Sequence, residues 1–167
     1  MIGAGLSMIC RSVASTDKRA GMAKKSPPPV ARLLGVDLGS KRIGVAVSDE
    51  LGMLAHPVGT ILSKGDDEAD AAALVAALER EGAAGFVVGL PLNADGSKGP
   101  AAERSERFAR TLRERSGREV ILWDERLSTD RAYEALMRHD VSHSKRRKRV
   151  DVMAARMILQ DYLDRKK

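Results

Sequence analysis

Residues 33–49, LLGVDLGSKRIGVAVSD, constrain the fold more than any other stretch of this chain. Two apolar, β-rich runs flank a short turn containing glycine, which is the pattern of a β-hairpin. The first run ends in Asp37 and Gly39. A carboxylate where a buried strand emerges costs free energy unless a metal ion or a positive substrate compensates it. Gly39 has no Cβ, so the backbone can turn sharply and a ligand can come close. Two readings stand on this stretch alone. Asp37 is a metal-binding carboxylate at the end of a central strand, or it is a turn residue that starts a tight hairpin. The other acidic residues must decide.

The rest of the chain supplies the frame. Residues 1–31 show no sustained periodicity, and KKSPPP at 24–29 reads as an extended linker. That segment is expected to be a disordered basic arm or an over-extended start, with Met8 and Met22 as alternative initiators; the folded domain is expected over 32–167. Strands are expected at about 32–38, 42–48 and 53–61, the third at a sheet edge because of Pro57. GDDEAD then caps a helix over 67–81, whose Ala71, Leu74, Val75 and Leu78 recur at helical spacing. GFVVGL (85–90) and EVILWD (119–124) read as buried parallel strands, with a helix between them over about 100–115. A third helix is expected from Ser128 or Thr129 to Met137, then a polar, basic connection, HDVSHSKRRKR, and a last helix from about Val150 to Leu163. Tightly joined early strands imply antiparallel neighbours, and later strands reached through helices imply parallel ones. The fold class is therefore α/β: a mixed five-stranded sheet with helices on both faces.

Composition narrows the partners. A net charge of +6 and a pI near 9.7 favour polyanions such as nucleic acid. Aromatic residues make up 3 %, so base stacking on aromatic platforms is not the expected binding mode. The single cysteine, Cys10, excludes a disulfide framework or a cysteine-based zinc site within one chain, which suits a cytoplasmic location. No apolar run approaches the roughly 20 residues of a membrane helix, so no membrane partner is expected.

Three other acidic positions bear on Asp37: Asp124, Glu125 and Asp151. Asp124 and Glu125 close the last strand, at the sheet edge where open α/β sheets place their sites. Side chains alternate across a strand, so only one of the two can readily share a site with Asp37; the other is expected to pair locally, with Arg126 as the nearest partner. Asp151 opens the last helix on the stripe continued by Ala155, Ile158 and Tyr162. Taken singly, it reads as an acid favoured by the helix dipole. Taken together, three carboxylates from different elements suit hard cations with oxygen ligands, Mg²⁺ or Mn²⁺. Two such ions can activate water and stabilise the leaving oxygen of a phosphodiester.

DLGSKRIGVAVSD, VVGLPLNADGS, WDERLST and VDVMAA match, in this order, the motifs of the YqgF family, the pre-16S rRNA nucleases also described as RuvX-type Holliday junction resolvase homologues. The resemblance runs from about residue 32 to 163. It implies an RNase H-like fold and a metal-dependent nuclease that matures the 5′ end of 16S rRNA in the cytoplasm. By motif, Asp37, the pair Asp124/Glu125, and Asp151 correspond to the family's catalytic carboxylates, with Glu125 favoured within the pair. The related RuvC resolvases carry their second acid on the preceding strand, which here is GFVVGL and has none. That counts against resolvase activity in particular.

Cations and polar groups complete the candidate site. Lys145, Arg146, Arg147, Lys148 and Arg149 lie just before Asp151, where they would attract a phosphate backbone; a solvated charged loop is the bland alternative. Lys41 and Arg42 would meet phosphate or sit in the hairpin turn, and Asn93 would bind substrate or form a turn. Arg126 would orient the acidic pair or contact phosphate. His139 and His143 have zinc spacing but no third ligand, Ser128 has no base beside it, and Trp123 reads as core. The expected partners are structured RNA, namely precursor rRNA in a pre-ribosomal particle, with branched DNA as the rival substrate. A homodimer would accompany the branched-DNA reading. A non-catalytic RNA-binding assembly factor is the remaining reading. The hairpin also resembles the first phosphate loop of sugar kinases and actin-like ATPases, but 167 residues leave no room for their second domain.

Overall fold

The computed structural model describes residues 31–127 and 143–166, and for 127 and 143–149 the backbone alone. The expected third helix, the Ser128 cap, His139 and the segment before residue 31 lie outside the described residues. Five strands form one sheet: β1 (Leu33–Leu38), β2 (Arg42–Ser48), β3 (Ala55–Leu62), β4 (Gly85–Leu90) and β5 (Glu119–Asp124). Their spatial order is β3-β2-β1-β4-β5. β1, β2 and β3 are antiparallel neighbours, whereas β4 pairs parallel with both β1 and β5. Short connections produce the antiparallel part, and helical crossovers the parallel part. Helices α1 (Asp67–Glu81) and α2 (Pro100–Ser116) cover one face; the last helix, α3 (His143–Arg165), lies on the other.

Local sequence sets the helix ends. Asp66 caps α1 by accepting from the Ala69 amide, and Gly82 ends it at φ 63°. That left-handed conformation is costly for any residue with a Cβ. Pro100 sits in the first turn of α2, where its missing N–H is harmless.

Strand alternation sorts the side chains. Leu34, Val36, Ile43, Val45, Phe86 and Val88 point to the α1/α2 side and meet Leu74, Phe108 and Leu112. Each fully buried side chain of this size contributes about 1.5–3 kcal/mol. The other face carries Gly35, Gly44, Ala46, Val87 and Gly89, small enough for α3 to lie close through Ala155, Ile158 and Leu159. A Cβ on Gly35 would stand 2.7 Å from the Ala155 carbonyl oxygen. A Cβ on Gly44 would fall on the carbonyl oxygen of Asp151. Strand glycines here permit close helix approach.

Three expectations change. β3 starts at Ala55, two residues later than expected; Pro57 does lie on an edge strand. β5 is not a doubly buried strand but an edge strand among the described residues, with Ile121, Leu122 and Trp123 half-buried. A continuous apolar run alone cannot distinguish the two cases. The last helix begins at His143, so the basic run is helical and not a connecting loop. Lysine and arginine are good helix formers, and that preference outweighs their mutual repulsion here. No described helix is long and apolar enough to cross a membrane.

Candidate active site at the carboxylate edge of the sheet

The site is built at the C-terminal ends of β1, β4 and β5. Val36 pairs with Val88 and Gly89 with Trp123, so Asp37, one residue beyond Val36, is level with Gly89 and the end of β5. On its other side Asp37 pairs with Gly44. Asp37 therefore stands between two positions that carry no side chain. Alternation with Gly35 turns Asp37 to the α3 face.

Both flanking glycines are approached by an acidic residue. A Cβ at Gly89 would fall on Oε1 of Glu125 and lie 3.0 Å from its Cδ and 2.7 Å from Ile158 Cδ1. Glu125, in the 3₁₀ turn Glu125–Leu127 after β5, thus lays its carboxylate over β4 on the α3 face. Gly44 receives the Asp151 backbone. Asp37, Glu125 and Asp151 are brought to one edge and one face. Asp151 is more than two turns into α3, whose first turn contains no acid. The helix dipole fades within the first turn, so it does not account for this carboxylate. Its side chain accepts a hydrogen bond from Nε of Arg42 at 2.5 Å. Among the described residues, no three of His, Cys, Asp and Glu already stand in a geometry that could hold a metal ion.

Asp124 is placed elsewhere. It follows Val120 and Leu122 onto the opposite face, where Arg126 Nη2 donates to Oδ2 at 2.7 Å and the Arg126 amide to Oδ1 at 3.0 Å. The Arg126 side-chain hydrogen bond, with help from the backbone bond and nearby positive charge, holds the Asp124 carboxyl below its usual range. Arg126 is correspondingly raised by Asp124 and Asp95. A carboxylate lowered by folding stabilises the protein above its unfolded pKa and loses that effect as pH falls through the folded pKa. Asp124→Asn should therefore cost about 0.5 kcal/mol near neutral pH, in line with a half-exposed pair. The difference between variant and wild type should shrink as pH falls through the lowered folded-state pKa of Asp124, where its carboxyl becomes neutral. A constant offset across pH would refute the assignment.

The other expected residues occupy distinct places. Arg42 is held by Asp151, whereas Lys41 is exposed at the hairpin tip. Asn93 closes the loop after β4: its Nδ2 donates to Ser97 Oγ at 2.8 Å and its carbonyl accepts from the Gly96 amide. Arg126 lies against that turn, with Nη1 3.0 Å from where a Gly96 Cβ would be. The backbone of 145–149 lies within the first two turns of α3, immediately before Asp151. Trp123 is half-buried on the α3 face, donating to Asp161 at 2.8 Å and packing edge-on to Tyr162.

Arg104 is a residue sequence reasoning missed. From α2 its Nη1 donates to the Gly39 carbonyl at 3.2 Å, fixing the turn that follows Asp37. It is one of several arginines in α2, and only the crossover that lays α2 beside the hairpin sets it apart. The close-approach glycines did carry a signal, since glycine inside a strand marks close backbone contact.

The family described as RuvX: Holliday junction resolvase matches residues 31–165. A chain of Geobacillus kaustophilus (strain HTA426) named "Putative pre-16S rRNA nuclease" is 51% identical over 139 residues, covering 81% of this chain and 99% of its own. One of the same name from Myxococcus xanthus (strain DK1622) is 49% identical over 133 residues, covering 80% of this chain and 87% of its own. Among solved structures, T. thermophilus RuvC in complex with Holliday junction substrate superposes with a TM-score of 0.53 at 12% identity, covering 83% of this chain and 98% of that one. The last likeness is one of fold, the RNase H-like, RuvC-type sheet. With a family match across nearly the whole described domain and relatives at about half identity, this chain belongs to the RuvX, or YqgF, family.

Proposed function

We propose that this chain is a metal-dependent nuclease that hydrolyses phosphodiester bonds at the 5′ end of precursor 16S rRNA. The observation that carries the reading is the approach of Glu125 and Asp151 to the two glycines that flank Asp37. The space over Gly89 is one that a Cβ would fill, and a carboxylate takes it instead. Asp37, Glu125 and Asp151 offer only oxygen donors, the set that Mg²⁺ or Mn²⁺ prefers, and they would hold two such ions. When bound, the ions supply an activated water and neutralise charge on the leaving oxygen.

The chain's own residues do the rest. Lys41, exposed at the hairpin tip, and Lys145, Arg146, Arg147, Lys148 and Arg149, just before Asp151 in the sequence, would attract the phosphate backbone. These contacts give affinity and register rather than sequence choice. Arg126 keeps Asp124 on the far face, and with Asn93 it shapes the loop beside β4 that substrate would meet.

A 5′-extended 16S precursor fragment, incubated with Mn²⁺, Mg²⁺ or EDTA, tests this directly. The expected result is shortening at the 5′ end with either metal and none with EDTA, while a four-way DNA junction in parallel stays intact. Cutting of the junction alone would move the substrate to branched DNA. Tight RNA binding without cleavage in either metal would overturn the nuclease and leave an assembly factor.

A further inference from the structure

We propose that Arg42 is a placeholder cation for Asp151, displaced when a divalent metal binds. The inference rests on reading Asp37, Glu125 and Asp151 as the metal ligands, and adds a competitor for one of them. Arg42 and Gly44 are two residues apart on β2, so both face α3. Asp151 cannot withdraw from this face, because its carbonyl oxygen lies against Gly44. Its backbone is thus held at this face, and its carboxylate, on a side chain 23% exposed, meets the equally exposed Arg42. A carboxylate held there needs a counter-charge, and removing one partner of such a pair is costly.

The hydrogen bond joins Nε to one carboxylate oxygen, Oδ2. It is not the two-pronged fork that makes arginine–carboxylate pairs strongest. A hard cation also binds carboxylate oxygen, and it carries twice the charge of a guanidinium. The two cations repel each other and contend for the same group. Binding of one must therefore weaken the other by the same factor. Arg42 preserves the position of Asp151 before the metal arrives, and sets a threshold for metal binding. It is a positioning residue, not a catalytic one.

The sign of the effect separates this role from simple structural support. Loss of a supporting ion pair would loosen Asp151 and weaken metal binding. Loss of a competitor strengthens it. Calorimetric titration of Mn²⁺ into full-length wild type, Arg42→Gln and Arg42→Lys, without nucleic acid, reads that sign. Arg42→Gln is expected to bind Mn²⁺ on the order of tenfold tighter. Arg42→Lys, which keeps a cation, should stay near the wild type. In EDTA, Arg42→Gln should melt below the wild type, and saturating Mn²⁺ should remove the difference. Equal or weaker Mn²⁺ binding by Arg42→Gln overturns the placeholder role while leaving the metal site intact. Failure of both wild type and Arg42→Gln to bind Mn²⁺ overturns the metal reading and this inference together.

Discussion

Gly44→Ala is expected to cost about 3 kcal/mol and to lower the melting temperature by roughly 10 °C, although it adds a single methyl group. The cost does not come from backbone conformation. The new Cβ would fall on the carbonyl oxygen of Asp151, a backbone atom within α3 that no rotamer change can move. Either β2 bends or α3 lifts, and α3 also rests on Gly35 and Val87. A comparison with Gly82→Ala isolates the cause. Gly82 has open space around its missing Cβ but sits at φ 63°, so its substitution should cost only about 1 kcal/mol. Thermal melts of the two variants side by side provide the check. A Gly44→Ala protein as stable as the wild type would mean that α3 does not lie on β2 in this way. Metal-dependent cleavage by any folded fraction should fall as well, since the displaced group belongs to Asp151.

The same contact shows what can be read from residues and what cannot. The hairpin at 33–49, the strand at 85–90 and the helix at 67–81 follow from short-range rules: alternation, an acidic cap and turn glycines. The face of Asp124 follows from the same alternation along β5, Glu125 is turned the other way by the 3₁₀ turn that follows, and the Asp124–Arg126 pair is a neighbour effect over two residues. What escaped reading depends on contacts across long sequence separations. Arg42 and Asp151 are 109 positions apart, and Arg104 meets Gly39 across 65. No local pattern joins them. The start of α3 was hidden for a different reason. Five successive cations read as a basic connection, yet their helix propensity carries the helix back to His143. That earlier start removes the helix-dipole account of Asp151 and leaves Arg42 as its counter-charge.

Within the acidic set, Asp37→Asn and Glu125→Gln should each reduce metal-dependent RNA cleavage by at least about a hundredfold, whereas Asp124→Asn should retain it within a few-fold. The difference follows from faces, not from distance along the chain. Asp37 stands between Gly44 and Gly89, and Glu125 covers Gly89 on the α3 side. Asp124 is turned to the α1/α2 side and engaged by Arg126. Each substitution keeps the side-chain shape and removes one negative charge, so the fold should survive while a hard cation loses a ligand. Single-turnover cleavage at saturating Mn²⁺, with Mn²⁺ affinity measured separately, distinguishes a lost ligand from a lost fold. Glu125→Gln should bind Mn²⁺ more weakly than Asp124→Asn does. The reverse order, with Asp124→Asn inactive and Glu125→Gln active, would move the metal ligand to the other member of the pair. It would also require Arg126 to release Asp124 before the reaction, an event absent from the wild-type arrangement, in which three Arg126 nitrogens, including the backbone amide, donate to that carboxylate.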